Sequence, residues 1–206
     1  MRSDRILPTA IASAIEMAFL VSPVAATARD APRSAKELVV ADFNSGEKPN
    51  NIGGDFGAWI KDPHDAMQGC IESFDRADRF GSSGYALRLI YSVDSSEPAF
   101  GGLWMNLQNL NATPFEALRF RVRGDAKMGF TTVFKVELKD SVGQSSHYYV
   151  RGVTDQWQDI AIRLAAFEGL ANMRSLKEFT ITIEDTTATA KRGVIYLDDV
   201  RFGAAD

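Results

Sequence analysis

The chain has 206 residues, of which 45% are hydrophobic, 10% aromatic and 24% charged, as in typical globular proteins. Its formal net charge of −4 argues against nucleic acid as the main partner, because phosphate binding requires a basic excess. No apolar run reaches the ~18 residues that are needed to span a bilayer as a helix.

The first 28 residues have the pattern of a secretory signal peptide. Two arginines precede a mostly apolar stretch, and the chain then reads Ala26-Thr27-Ala28, a small-residue cleavage site. We therefore predict a signal peptide at 1–28, a linker at 29–37 and a periplasmic or secreted protein. The alternative is a disordered or helical cytoplasmic extension.

From residue 38 onwards, short segments with alternating apolar and polar residues predict antiparallel strands that have one buried face. The predicted strands are 38–43, 86–93, 102–108, 117–124, 132–140, 147–153, 158–164, 178–185 and 193–202. Residues 50–65 are predicted to form a long polar loop, and 165–178 a short helix. The expected fold is an all-β antiparallel β-sandwich, or jelly roll, in one domain at 38–206.

The remaining observations in this stretch concern single residues. Cys70 is the only cysteine, so no internal disulfide can form, and we expect a buried, inert thiol. Trp157 is expected in the core. In the loop at 50–65, Phe56 and Trp59 are expected either to plug one end of the sandwich or to approach a ligand.

The outward positions of several predicted strands carry aromatic and polar side chains. If these strands share a sheet, the mixture suits sugar binding, because aromatic rings stack on sugar C–H faces while polar groups bind hydroxyls. The alternative is a solvated face on which opposite charges pair across strands. The candidate ligand-binding residues are Trp59, Trp104, Asn106, Arg121, Lys135, Glu137 and Tyr149.

The last predicted strand contains adjacent carboxylates at Asp198 and Asp199. Neighbouring strand residues point to opposite faces, so one of the pair should point towards the core. A buried carboxylate must become neutral, form an ion pair, accept backbone hydrogen bonds or bind a metal.

Three motifs resemble the galactose-binding-like jelly rolls: "VVADFNSGE", "WQDIAIRLAAF" and "GVIYLDDVRF". The similarity covers most of 38–203 and is nearest to family 11-type carbohydrate-binding modules and to the complex I intermediate-associated protein 30 family. It implies a structural calcium ion held by Asp42 and Asn44 with Asp198 or Asp199. The family often has Glu where this chain has Asn44.

Together with the predicted signal peptide, the resemblance implies an exported, non-catalytic module that binds oligo- or polysaccharide. One alternative is a protein-interaction or assembly factor with Phe100 and Trp104 as interface anchors. Another is a small glycoside hydrolase that uses Glu137 or Glu184, because such enzymes need two carboxylates about one sugar bond.

Overall fold

The computed structural model describes Met1 and residues 37–205. The predicted signal peptide, apart from Met1, and nearly all of the predicted linker lie outside the described residues. The strands are β1 (Leu38–Ala41), β2 (Phe56–Ile60), β3 (Gln68–Asp75), β4 (Ala86–Val93), β5 (Phe100–Leu110), β6 (Ala117–Gly124), β7 (Val133–Asp140), β8 (Ser145–Arg151), β9 (Gln158–Arg163), β10 (Leu176–Glu184) and β11 (Arg192–Gly203).

These strands form two antiparallel sheets. Sheet A has the order β3-β4-β11-β6-β9, with β1 also paired to β11. Sheet B has the order β2-β5-β10-β7-β8. The prediction of an all-β antiparallel sandwich is confirmed. None of the helices in the described residues is long and apolar enough to cross a membrane.

The core lies between the inward faces of the two sheets. Phe120 of β6 packs against Phe134 of β7 and Phe179 of β10, with ring centroids 6.3 and 6.1 Å apart. All three side chains are fully buried. The alternation that predicted strands β4, β6, β7 and β10 therefore has a direct cause, since every second residue enters this shared core.

Two regions differ from the prediction. The predicted helix at 165–178 is wrong: a single 3₁₀ turn at Leu164–Ala166 is followed by irregular chain, and β10 begins at Leu176. The predicted loop at 50–65 contains β2, and β3 was not predicted. Both strands end their sheets and are only partly buried, so their sequences lack clear alternation.

A β-bulge at the end of β11 explains the adjacent carboxylates. Asp198 pairs with Arg121 and Arg201 pairs with Arg119, so β11 has one residue more than β6 across this interval. Asp199 adopts a φ of 54° there. Core residues therefore flank the two carboxylates, and neither carboxylate occupies a core position. The expectation that one Asp points into the core is wrong because the bulge resets the alternation.

A candidate binding cleft on sheet B

A cleft of about 620 Å³ lies on the outer face of sheet B, away from the core. All its lining residues come from β2, β5, β10 and β7. They are Trp59, Phe100, Trp104, Lys135, Glu137, Glu178, Thr180, Thr182 and Glu184.

The strand register brings these side chains together in rows across the sheet. One row consists of Trp59, Gly102, Thr182, Lys135 and Tyr149. The next row consists of Gly57, Trp104, Thr180, Glu137 and His147. In both rows, an aromatic residue stands on β2 or β5, a threonine on β10 and a charged residue on β7. The cleft thus has an aromatic wall, a low floor and a polar wall.

The aromatic wall consists of Trp59, Phe100 and Trp104. The rings of Trp59 and Phe100 meet edge to face, with centroids 5.8 Å apart. Trp104 lies beside Gly57, where an added Cβ would come within 3.2 Å of its indole nitrogen. Among the described residues, the indole N–H of Trp59 has no hydrogen-bond acceptor.

The polar wall is centred on Lys135. Its Nζ lies 2.7 Å from Glu184 and 4.0 Å from Glu137. The Tyr149 hydroxyl donates a hydrogen bond of 2.8 Å to Glu184. Burial opposes ionisation of Glu184, yet the hydrogen bonds from Lys135 and Tyr149 hold the pKa of this carboxyl below its usual value. The Glu184 side chain is therefore a fixed, ionised acceptor.

The floor is formed by small side chains of β5 and β10. Thr180 and Thr182 are 7% and 4% exposed, and both line the cleft. Thr180 donates a long hydrogen bond of 3.4 Å to Glu178. Thr182 makes no side-chain hydrogen bond to another described residue, although its hydroxyl is a strong donor and acceptor. Beside it, Gly102 lies so close to β10 that an added Cβ would be 1.8 Å from the Ile181 carbonyl oxygen.

The structure brings together most of the candidate ligand-binding residues. Trp59, Trp104, Lys135 and Glu137 line the cleft, and Tyr149 contacts it through Glu184. Asn106 lies on β5, paired with Glu178 at the end of the cleft, where its side chain accepts a hydrogen bond from the backbone of Gln108.

Arg121 does not belong to this group, and its assignment to the same surface is wrong. It lies on β6 in sheet A, so the core separates it from the cleft. Its guanidinium stacks 3.8 Å above the centroid of the Phe80 ring, between Asp159 and Asp199. Trp157, which was expected in the core, is half-buried and packs edge to face against the same Phe80 ring.

The sequence analysis did not assign Phe100, Glu178, Thr180 and Thr182 to a sugar site, and it named Glu184 only for hydrolysis. The signal for the β10 residues is their alternation with the buried Phe179, Ile181 and Ile183. That pattern gives the outward face of β10 but does not say that β10 pairs between β5 and β7.

The residues implied for calcium lie in part around the bulge of β11. The Asp198 carboxylate is 5% exposed and accepts a hydrogen bond from the Phe80 amide. Burial and the charges of Asp199 and Asp42 raise the pKa of Asp198 to about 6. Asp42 accepts a hydrogen bond from the Asn44 amide, and the Asn44 side chain packs against Gly84.

Two carboxylates and one amide oxygen are ligands of the kind that calcium takes, so Asp42, Asn44 and Asp198 fit the ion. Asp199 does not fit, because Arg201 and Arg121 pair with its carboxylate. The described residues contain no group of three or more His, Cys, Asp or Glu side chains placed to hold a metal. Ligands beyond Asp42, Asn44 and Asp198 would therefore be backbone carbonyls.

Comparisons with known proteins place this fold. No family model matches the sequence, and no curated protein matches it. Among solved structures, the family 11 carbohydrate-binding module of a cellulosomal cellulase of Clostridium thermocellum aligns with a TM-score of 0.58 and 13% identity, over 81% of this chain and 94% of that chain. The Clostridium thermocellum family 11 module in complex with a β-1,3-1,4-mixed-linked tetrasaccharide aligns with a TM-score of 0.57 and 14% identity, again over 81% of this chain and 94% of that chain.

An exo-β-agarase aligns with a TM-score of 0.61 and 12% identity, over 80% of this chain but 24% of the agarase. The similarity to the enzyme is therefore confined to a part of it. Identities this low establish the fold. The chain has the β-sandwich fold of the family 11-type carbohydrate-binding modules, as the sequence resemblance implied.

Proposed function

We propose that this chain is an exported, non-catalytic carbohydrate-binding module that binds an oligo- or polysaccharide in the cleft of sheet B. The observation that carries the proposal is the pairing of an aromatic wall with a polar wall across one open cleft. The solved modules of this fold support it, and one of them was determined with a bound tetrasaccharide.

The chemistry of the cleft matches both sides of a sugar ring. A pyranose has apolar C–H faces, which stack on Trp59 and Trp104, and a rim of hydroxyls, which need donors and acceptors. Lys135 and Glu137 supply charged partners on the opposite wall, and such hydrogen bonds are stronger than neutral ones. The Thr182 hydroxyl, which lacks a partner on the floor, is available to a sugar hydroxyl.

Glycoside hydrolysis is less well supported by the same residues. A glycosidase needs a general acid whose pKa is raised so that it carries a proton at working pH. Glu184 has the opposite environment, because Lys135 and Tyr149 lower the pKa of its carboxyl. Its charge serves ion pairing and hydrogen bonding better than proton donation.

The proposal includes a structural calcium ion held by Asp42, Asn44 and Asp198. The ion would neutralise the carboxylates of Asp42 and Asp198, whose negative charges repel each other near the bulge of β11. It would thereby stabilise the junction between the first and last strands. The proposal of export rests on the N-terminal sequence, and N-terminal sequencing of the mature protein should find a chain that begins at Arg29.

The direct test removes one ring of the aromatic wall. Wild-type protein and Trp104→Ala are titrated calorimetrically with a panel of soluble glucans, galactans and xylans, beginning with a mixed-linked β-1,3-1,4 tetrasaccharide. We expect micromolar to millimolar binding by the wild type and at least a tenfold loss in the variant. Trp157→Ala is the matched control, because Trp157 lies at sheet A, and it should bind as the wild type does.

Binding that survives Trp104→Ala would place the sugar elsewhere and contradict the proposed site. If no glycan in the panel binds, the proposed function is wrong. Capture of a polypeptide that depends on Phe100 and Trp104 would then favour the protein-interaction alternative.

A further inference from the structure

We infer that the cleft selects a cationic, amino-sugar-containing glycan over neutral glycans and rejects uronate chains. The inference rests on the proposed function, since it names the class of sugar that the same cleft prefers. It comes from the excess of carboxylates over ammonium groups among the lining residues, and from the lack of an ion-pair partner in the cleft for one of these carboxylates.

The cleft carries an excess of negative charge. Its lining contains three carboxylates, Glu137, Glu178 and Glu184, against one ammonium, Lys135. Lys135 is already committed to Glu184 at 2.7 Å, and it lies at the 4.0 Å limit from Glu137. One carboxylate is therefore neutralised, a second is weakly paired and the third has no ion pair within the cleft.

Glu178 is the carboxylate that forms no ion pair with any described residue. Within the described part of the chain, its side chain makes one hydrogen bond, the 3.4 Å bond from Thr180. Lys139 stands directly opposite it on β7, but the two side chains do not form an ion pair. The charge of Glu178 thus remains available to a ligand.

Glu137 and Glu178 lie close enough to act on one ligand. Thr180 pairs with Glu137, and Glu178 pairs with Lys139, so the two glutamates are diagonal neighbours on adjacent strands. Such diagonal positions are about 7–8 Å apart, with long side chains able to reach between them. An ammonium group between these carboxylates would gain charge-assisted hydrogen bonds from both.

The aromatic wall supplies a second and independent indication of a polar ligand. Trp59 lines the cleft, and its indole N–H is buried without a hydrogen-bond acceptor among the described residues. A buried donor without a partner is costly, and a ligand that supplies an acceptor removes that cost. The aromatic wall holds the sugar ring, while Thr182 and the glutamates contact its substituents.

A carboxylate on the sugar would be repelled by the same residues that attract an ammonium group. It would approach Glu137 and Glu178, and like charges in a partly desolvated cleft repel. Lys135 offers little compensation, because Glu184 already binds it. Uronate chains should therefore bind more weakly than neutral chains on the same backbone.

The test compares oligosaccharides that share a β-1,4-linked backbone and differ in charge. Calorimetric titrations use the hexamers of glucosamine, N-acetylglucosamine, glucose and glucuronate, at 20 mM and at 1 M sodium chloride. At low salt we expect about tenfold tighter binding of the glucosamine hexamer than of the two neutral hexamers, and no measurable binding of the glucuronate. At 1 M salt the preference should nearly disappear, because the Debye length falls to about 3 Å.

Variants assign the preference to its residue. Glu178→Gln should reduce the preference for glucosamine over the neutral hexamers to threefold or less. Glu97→Gln, in an exposed loop outside the cleft, should retain the full preference. Equal or tighter binding of the neutral hexamers overturns the inference but leaves the proposed function intact. If none of the four hexamers binds, the inference is overturned, and the broader panel with Trp104→Ala decides the proposed function separately.

Discussion

Replacement of Gly102 by alanine should destabilise the fold and disturb the cleft together. A Cβ at this position would lie 1.8 Å from the Ile181 carbonyl oxygen, whereas ordinary contact begins at 3.4 Å. The obstacle is backbone rather than a flexible side chain, so β5 and β10 must move apart. Overpacking of this kind typically costs about 1–3 kcal/mol.

Weakening of the adjacent ladder hydrogen bonds adds about 1 kcal/mol. Alanine also lowers the conformational entropy of the unfolded chain, which stabilises the folded state by about 0.4–1 kcal/mol. The net loss of unfolding free energy is therefore about 1–3.5 kcal/mol. In a domain of this size, each kcal/mol lowers Tm by about 2–4 °C, so Gly102→Ala should lower Tm by roughly 2–14 °C.

Thermal and urea unfolding measure this loss. The matched control is Gly69→Ala on β3, where an added Cβ meets no atom within 4 Å. It should leave Tm unchanged or slightly raised. A Gly102→Ala protein as stable as the wild type would refute the argument that the close approach of β5 and β10 fixes the floor of the cleft.

Three further predictions follow from single residues. Calcium should raise Tm by several degrees over a sample that contains a chelator. The rise should be lost in Asp198→Asn but kept in Asp199→Asn, because the wild-type Asp199 carboxylate is already ion-paired with Arg201. A rise that survives Asp198→Asn would contradict the proposed ligands. Glu184→Gln should cost about 1 kcal/mol of unfolding free energy at pH 7. The difference should shrink as the pH falls through the lowered pKa of Glu184, because a carboxyl with a lowered pKa stabilises the fold only while it is ionised. A difference that does not change between pH 7 and the acid limit of folding would be inconsistent with this. Burial and the charge of Glu72 raise the pKa of the Cys70 thiol to about 12, so a disulfide reagent at pH 8 should label it in urea but not in the folded protein, and rapid labelling of folded protein would show that the thiol is accessible.

The fold could be predicted because most strands alternate against one apolar core. β4 and β6 have the bounds that the sequence predicted, 86–93 and 117–124. The edge strands β2 and β3 escaped prediction because only a few of their residues, such as Phe56 and Phe74, pack into or against the core, so the alternation is weak. The adjacent carboxylates could be noticed in the sequence, but the bulge that places them depends on the register of β11 against β6.

The sequence allowed the types of residue in the candidate site to be predicted, but not which outward-facing residues lie together on one sheet. Outward-facing Trp104, Lys135 and Glu137 could be recognised strand by strand, and all three line the cleft. Arg121 satisfies the same rule equally well and lies on the other sheet. Alternation reports which side of a strand faces the solvent, whereas the order of strands in a sheet is set by long-range pairing that one sequence does not reveal.

The edge of β2 has a consequence for how the cleft meets a ligand. β2 belongs to sheet B, yet β3 of sheet A closes its free side: the Glu72 carboxylate accepts a 2.8 Å hydrogen bond from the Ala58 amide and a 2.9 Å contact from Lys48. Trp59 follows Ala58 directly, so its backbone is held in place before any ligand arrives. A platform that is already ordered loses little conformational entropy on binding. Under the proposed function, the aromatic wall would therefore give most of its stacking free energy to affinity, even for a sugar that makes few polar contacts.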